Sequence, residues 1–478
     1  MGLLKIVKTI SLPTKIMISF CVLYGLAGTL VSLHRFWQYE VFYDSYGIFD
    51  SVIWQVSRFQ MPMIDHIALG RLPIFADHFY PTMFILSPLY WFTNRSELLG
   101  IVQALTVTGS GWVLYIIAKQ VLKQPWLSFG ITVSYLLFVG LQNAIITDFH
   151  DVTIATLPLM LIFWAIVTDR KKLFFVFLVL TLGCKESMSI TGICIGIFLL
   201  SIPSWRTVGI ETILISSLWG ITIIKCVIPY FSNGVYIYTP QMPYSLTEYV
   251  MRFFDTPDKR RTLWYSFQSF LFLPIFAPTT WPLLLQDFFI RFVPLKTNMR
   301  WTLGMHYNAQ TAVFLAIGSL YGLKNILKPA LTAGRFFPAS SFLYLFISLS
   351  LVLNALYLHQ RVLHGPLGLS YNKAFYTHTK DFAFLDRLIV QVPKNVSVMT
   401  QNNLAVRFTH QTVYLPDMNY DKAHPDYIVL DLRDGQNPNN FFGSHAKSIE
   451  QFVGKLQSDP KYELITDPSS SQKIWQHK

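Results

Sequence analysis

The stretch "FYDSYGIFDSVIWQVSRF", residues 42–59, places Asp44 and Asp50 just beyond the first long apolar run of a very hydrophobic chain. Two acids in that position need a reason, and the rest of the chain supplies the setting. Of 478 residues, 52% are apolar, 16% aromatic and only 13% charged, against roughly 25% charged in ordinary soluble domains. Such a composition reads as an α-helical polytopic membrane protein. Apolar stretches near 16–34, 98–118, 126–146, 152–168, 173–201, 207–229, 264–285, 309–325 and 336–357 are mostly long enough to cross a bilayer core, and predict about nine to eleven spans. Lys185 and Glu186 divide the 173–201 stretch into halves that are each short for a crossing, so it reads either as one span or as two short helices meeting at the membrane surface.

The N-terminal "MGLLKIVKTISLPTKIMISFCVLYGLAGTLVSL" has a basic start but no clear small-residue cleavage site, so it reads as the first span. Cys21, Cys184, Cys194 and Cys226 lie inside or beside apolar stretches, with neither a disulfide framework nor a CxxC spacing. Cytoplasmic loops carry the excess of lysine and arginine. Lys5, Lys8 and Lys15 therefore put the N-terminus inside, as do the basic connectors "AKQVLKQ" (118–124), "DRKK" (169–172) and "LKNILKPALTAGR" (323–335). Residues 35–97 and 147–151 then face outside; "DKRR" (258–261) conflicts with this parity and leaves 229–263 unassigned.

Residues 358–478 hold 13 Lys and Arg against 11 Asp and Glu, whereas 1–357 hold 25 against 15, so most of the +12 net charge belongs to the membrane part. Anchoring to anionic headgroups accounts for that excess, and no nucleic-acid partner is implied. In the tail the pattern changes to β-rich runs, "NVSVMT" (395–400), "TVYLP" (412–416) and "DYIVLDL" (426–432), between the helix-like "NNLAVRFT" and "AKSIEQFVGKL". That alternation predicts two domains: a transmembrane domain over 1–357 with a long first loop at 35–97, and a soluble, extracytoplasmic α/β domain with a partly parallel sheet over 358–478.

A first loop of this length points to function. In "YGIFDSVIWQVSRF", Tyr46, Phe49, Ile53 and Trp54 share one helical face and Asp50, Ser51, Gln55 and Arg58 the other, an interfacial-helix pattern in which Asp50 is solvated. Asp44, just ahead of the helix, also fits an N-cap. Downstream, "ADHFYPTMFILSPLYWF" carries Asp77 and His78 before an apolar segment too short to span. Further polar clusters sit at ends of apolar stretches: "TDFHDVT" (147–153), with His150 and Asp151; "CKES" (184–187), with Lys185 and Glu186; and "GMHYNAQ" (304–310), with His306 and Tyr307. Each histidine alone reads more readily as a structural one, but ionisable groups gathered on one side of a membrane are functional candidates.

The motifs "YDSYGIFDSVIWQ", "ADHFYPTMFILSPLYWF", "DFHDVTIATLPLML", "CKESMSITG", "HYNAQTAVFLAIG" and the tail "VPKNVSVMTQNNLAVRFTHQTVYLP" occur in the order of the family known as domain of unknown function 2079. That family distantly resembles the GT-C membrane glycosyltransferases. The resemblance implies transfer of a sugar from a polyprenyl-phosphate donor to an extracytoplasmic acceptor, with inversion, at a bacterial plasma membrane. An inverting transfer requires a base for the acceptor hydroxyl. Asp44 stands where the GT-C acid is expected and Asp50 is the second choice, although the adjacent acidic pair of better-known GT-C enzymes is absent. Lys185, Arg58, His78, His150 and His306 are the candidates to meet the leaving phosphate. Asp77, Asp151 and Glu186 would orient them or hold a divalent ion; no cofactor is expected as the default. A transporter of a lipid-linked or amphiphilic substrate, or a non-enzymatic scaffold, is the alternative. The former should show internal repeats and midplane charges.

Overall fold

The computed structural model describes residues 11–66, 70–297, 299–332, 339–416, 420–441 and 446–478. Lys5, Lys8 and the end of the 323–335 connector lie outside them. Four helices are long and apolar enough to cross a membrane: Leu12–Trp37, Leu98–Leu122, Pro203–Phe231 and Phe342–Val362. A fifth crossing forms if Pro125–Leu137 and Val139–Ile146, bent by 49° at Phe138, count as one. The expected nine to eleven crossings are therefore not reached by single apolar helices among the described residues.

Breaks in the backbone explain the shortfall. The 173–201 stretch forms helices of 12 and 13 residues, Lys171–Leu182 and Met188–Leu200, each only about 18–20 Å long against a core of about 30 Å. At the break the first loop reaches in, with Thr82 N–H donating to the Gly183 carbonyl at 3.0 Å and Thr82 Oγ1 to the Leu180 carbonyl at 2.8 Å. Those are helix-end carbonyls that would otherwise need another partner. The 264–285 stretch is likewise divided, between Pro257–Gln268 and Trp281–Phe292.

The first span packs on Leu98–Leu122 through small residues, as membrane helices do. A Cβ at Gly28 would stand 3.2 Å from the Ala104 methyl, so the two backbones approach more closely than a larger residue allows. After this span the chain turns through a π-helical segment, Tyr43–Gly47, into the helix Ile48–Ser57. A hairpin of β1 (Met63–His66) and β2 (Gly70–Pro73) follows, and then a 3-10 segment, Pro81–Trp91. That segment leaves Ile85 and the following Phe92 largely exposed.

The C-terminal sheet contains β3 (Val398–Thr400), β4 (Val413–Tyr414), β5 (Tyr427–Asp431), β6 (Tyr462–Leu464) and β7 (Gln472–His477), in the order β4-β3-β5-β7-β6. β3 runs parallel to β4 and β5, while β7 is antiparallel to β5 and β6. The partly parallel sheet expected from the tail is thus present. One face of it joins the core of the helical part, since Val398, Phe408, Val429 and Ile474 belong to the same buried cluster as Tyr46 and Val52. The Arg407 guanidinium lies 4.0 Å from the Phe36 ring centre and donates to the Phe36 carbonyl at 3.0 Å.

This docking overturns two readings of the opening stretch. Ile48–Ser57 does not lie on a surface with a wet face: Ile48 to Ile53 are all buried, wedged between the helices and the C-terminal domain. Asp50 is 0% exposed. It accepts hydrogen bonds from Tyr90 and Thr409 and pairs with His410 Nε2 at 3.1 Å. Burial opposes its charge, but His410, Thr409 and Tyr90 outweigh that and hold its pKa below the ordinary value. The N-cap reading of Asp44 fails too, because Phe42 and Gly47 occupy the cap positions and neither helix start has a side-chain cap.

Candidate functional site

Asp44, exposed, sits in the first turn of the π-helical segment, its backbone N–H donating to Asn402 Oδ1 at 3.1 Å. The negative charge beside it is Asp148, which follows the Val139–Ile146 helix in a left-handed conformation (φ 48°). Gln103, fully buried, shapes this turn by donating to the Asp148 carbonyl at 2.6 Å and accepting from His150 N–H at 2.9 Å. The Asp148 carboxylate accepts from Ser45 Oγ at 2.5 Å and Phe42 N–H at 3.2 Å. Burial, with the Asp44 charge adding to it, pushes the Asp148 carboxyl up to about 7 despite the Ser45 bond and Arg35.

That shift has a stability consequence with a definite sign. Between the ordinary 3.8 and about 7, the folded chain holds a proton that the unfolded chain has lost, so stability falls as pH rises through this window. Asp148→Asn removes the effect and tolerates the left-handed backbone. Its melting temperature in detergent should exceed that of the wild type at about pH 8 and converge with it at about pH 4; parallel curves for the two proteins would overturn the assignment.

Two residues beyond Asp148 begins a second, larger group. The rings of His150 and His306 stack with centroids 3.4 Å apart, and His306 abuts Tyr307. Burial first, and then the Lys185 charge, lowers His150 to about 3. Burial, His150 and nearby cations lower His306 well below the ordinary imidazole value. Both rings are therefore neutral. Lys185 Nζ lies 3.4 Å from Asp151 Oδ2, the two side chains 15% and 2% exposed. Burial disfavours its charge, but Asp151, Tyr307 and Glu186 together raise its pKa above the usual value. Glu186 Oε1 pairs with His78 Nδ1 at 2.8 Å and accepts from Tyr236 at 3.4 Å. Against burial, His78 and Lys185 bring Glu186 down to about 2. Asp77 accepts from Tyr238, whose ring stacks on His78 at 4.2 Å.

The loop bearing His306 and Tyr307 is pinned from below. Arg291 Nε donates to the Arg300 carbonyl at 2.9 Å, and its Nη2 to Asn308 Oδ1 at 2.8 Å; Asn308 Nδ2 in turn holds the carbonyls of Thr302 and Met305. Arg300 lies 5.5 Å above the Tyr307 ring. Phe49, 4.8 Å from Tyr80 and 6.5 Å from His150 by ring centres, forms apolar floor between the two groups.

Of the residues singled out by sequence, Asp77, His78, His150, Asp151, Lys185, Glu186, His306 and Tyr307 therefore come together. Arg58 does not: it bonds Asn94 Oδ1 at 2.7 Å and lies over Trp54. Asp50 also leaves the reactive set, because its oxygens are enclosed and already bonded. Asp148, Tyr236, Tyr238 and Arg300 were missed. Asp148 stood inside the quoted "TDFHDVT", whereas the tyrosines sit in the unassigned 229–263 loop, where no pattern marks them. Among the described residues, no three His, Cys, Asp or Glu side chains converge as a metal-holding set.

The class defined here is a helical membrane protein with a compact group of acids, imidazoles and one largely enclosed lysine where loops join its helices, together with a small C-terminal α/β sheet region. The chain belongs to the family described as Predicted membrane protein (DUF2079), which matches residues 40–468. Its fold is similar to that of ArnT from Cupriavidus metallidurans, solved bound to undecaprenyl phosphate, at 10% identity and a TM-score of 0.49, covering 96% of this chain and 97% of that one. No curated protein matches the chain.

Proposed function

We propose that this protein is a membrane glycosyltransferase that moves a sugar from a polyprenyl-phosphate donor to an extracytoplasmic acceptor with inversion. The observation that carries this reading is a charged lysine, Lys185, 3.4 Å from Asp151, grouped with two neutral imidazoles, of which His150 stands two residues after Asp148, the acid beside Asp44. The acceptor oxygen attacks the anomeric carbon while the bond from that carbon to the phosphate oxygen breaks. Asp44 takes the hydroxyl proton, and the like charge of Asp148 favours its uptake by the pair. The bond electrons leave with the polyprenyl phosphate, whose growing charge is met by Lys185; His150 and His306 donate hydrogen bonds to its oxygens without adding charge. Asp151 and Glu186 hold Lys185 charged, and Asp77 and His78 fix the Tyr238 side of the group. In this reading the first loop and the C-terminal domain face outside.

Breakage of the donor separates transfer from transport. In proteoliposomes loaded with a polyprenyl-phosphate sugar labelled in the sugar, free polyprenyl phosphate should accumulate only when protein and acceptor are both present. Intact donor recovered on the opposite leaflet, with none cleaved, would establish transport instead.

A further inference from the structure

Between the end of the first span and the C-terminal domain lies a cleft of about 470 Å³, a size typical of small-molecule sites. Its walls include Gln38 and Tyr39 from the membrane part, Phe382 from the connecting segment, and Asn403, Gln436 and Asn440 from the domain. Five carboxamides, Gln38, Asn403, Gln436, Asn437 and Asn440, line it; such groups both donate and accept, and those of the domain hold one another in place. Gln401 Nε2 donates to Asn403 Oδ1 and Gln436 Oε1, each at 2.9 Å. Asn440 Nδ2 donates to Gln436 Oε1 at 3.0 Å, and Gln436 Nε2 to the Asp431 carbonyl at 2.7 Å.

One atom stands out. Asn440 is 5% exposed, and among the described residues its buried Oδ1 has no hydrogen-bond partner, which is rare for a buried acceptor in a folded protein. Turning this amide over would set two oxygens against each other at Gln436, so the vacancy belongs to the arrangement. The arginines along the walls are matched internally, Arg35 pairing with Glu40 at 2.9 Å and Arg433 with Asp431 at 2.9 Å, while Asp434 is exposed. The Tyr39 and Phe382 rings, with centroids 6.3 Å apart, supply an apolar side.

We infer that this cleft binds a neutral polyhydroxylated chain, a short oligosaccharide, through its carboxamides and aromatic rings. The paired arginines offer little to an anionic ligand, whereas fixed amides beside rings match hydroxyls set around apolar C–H faces. Two links tie the cleft to the acids: Asn402, next to Asn403, holds the Asp44 N–H, and the charge of Arg35 reaches Asp148. On the reading of the chain as a sugar transferase, which this step rests on, the oligosaccharide is the acceptor.

Binding can be read without turnover. The full-length protein in detergent is mixed with cellotetraose, chitotetraose or mannotetraose, and saturation transfer from protein to sugar protons is recorded by NMR. At least one probe should show transfer, and the signal should be lost in Asn437→Trp, which fills the mouth from an exposed position, with an unchanged melting temperature. Asn440→Leu should weaken it and Asp44→Asn should leave it intact. Silence from all three probes, or equal signals from wild type and Asn437→Trp, would overturn the cleft assignment even if the protein transfers sugar. Conversely, blocked binding by Asn437→Trp upholds it even if Asp44→Asn proves fully active.

Discussion

Asp44→Asn is expected to lower the rate of sugar transfer about 10²- to 10⁴-fold, the usual effect of removing a general base, and to leave the protein folded. The side chain is exposed, and exposed substitutions mostly change stability by less than about 0.5 kcal/mol. The bond from its backbone N–H to Asn402 Oδ1 survives the change. A coupled effect makes the test sharper. With the Asp44 charge gone, one of the influences raising Asp148 disappears, so the upper end of the pH window over which stability falls should move to lower pH. Because the two acids act as a unit, Asp44→Asn combined with Asp148→Asn should be little slower than the worse single variant. Normal transfer by Asp44→Asn, measured as release of free polyprenyl phosphate, would remove the base from this position.

The contrast between Asp44 and Asp50 shows what was legible in the sequence. Periodicity placed Asp50 on the polar side of a helix, but periodicity is local, and the partner that encloses Asp50 is Thr409, 359 residues away. No pattern within the first loop announces such a contact. The polar clusters were legible for the opposite reason: lysine, histidine and carboxylates are so disfavoured beside long apolar stretches that their presence alone is informative, and His78, His150, Lys185 and His306 did converge. Asp148 was in view yet passed over for Asp151, because its importance lies in burial beside Asp44, which only the fold creates.

Single apolar helices fall short of the expected span count because hydropathy averages over a window and gives breaks little weight. The division of 173–201 at Lys185 and Glu186 was legible from their charge, and there, from Gly183 to Ser187, the chain leaves the helix. The tail fared better, since the β-rich runs at 395–400, 412–416 and 426–432 predict β3, β4 and β5. β6 and β7 escaped notice; the run at 472–477, "QKIWQH", is mostly polar and has its three buried residues, Lys473 to Trp475, side by side.

Lys185→Met should reduce transfer about 10²- to 10³-fold, as loss of one preorganised group at a developing negative charge does. Methionine keeps the length and apolar stem of lysine, so packing changes little. The variant also strands Asp151, 2% exposed and 3.4 Å away, and an uncompensated buried charge costs about 3–5 kcal/mol. Inactivity of the single variant is therefore ambiguous. Adding Asp151→Asn resolves it, because both charges are then gone and the buried pair is replaced by neutral groups. If Lys185 serves only to neutralise Asp151, the double variant regains both stability and transfer. If it meets the leaving phosphate, the double variant melts near the wild-type temperature and stays at least as slow as Lys185→Met, while Lys185→Arg, which keeps the charge, retains part of the rate. Recovery of transfer in the double variant would move the phosphate away from Lys185.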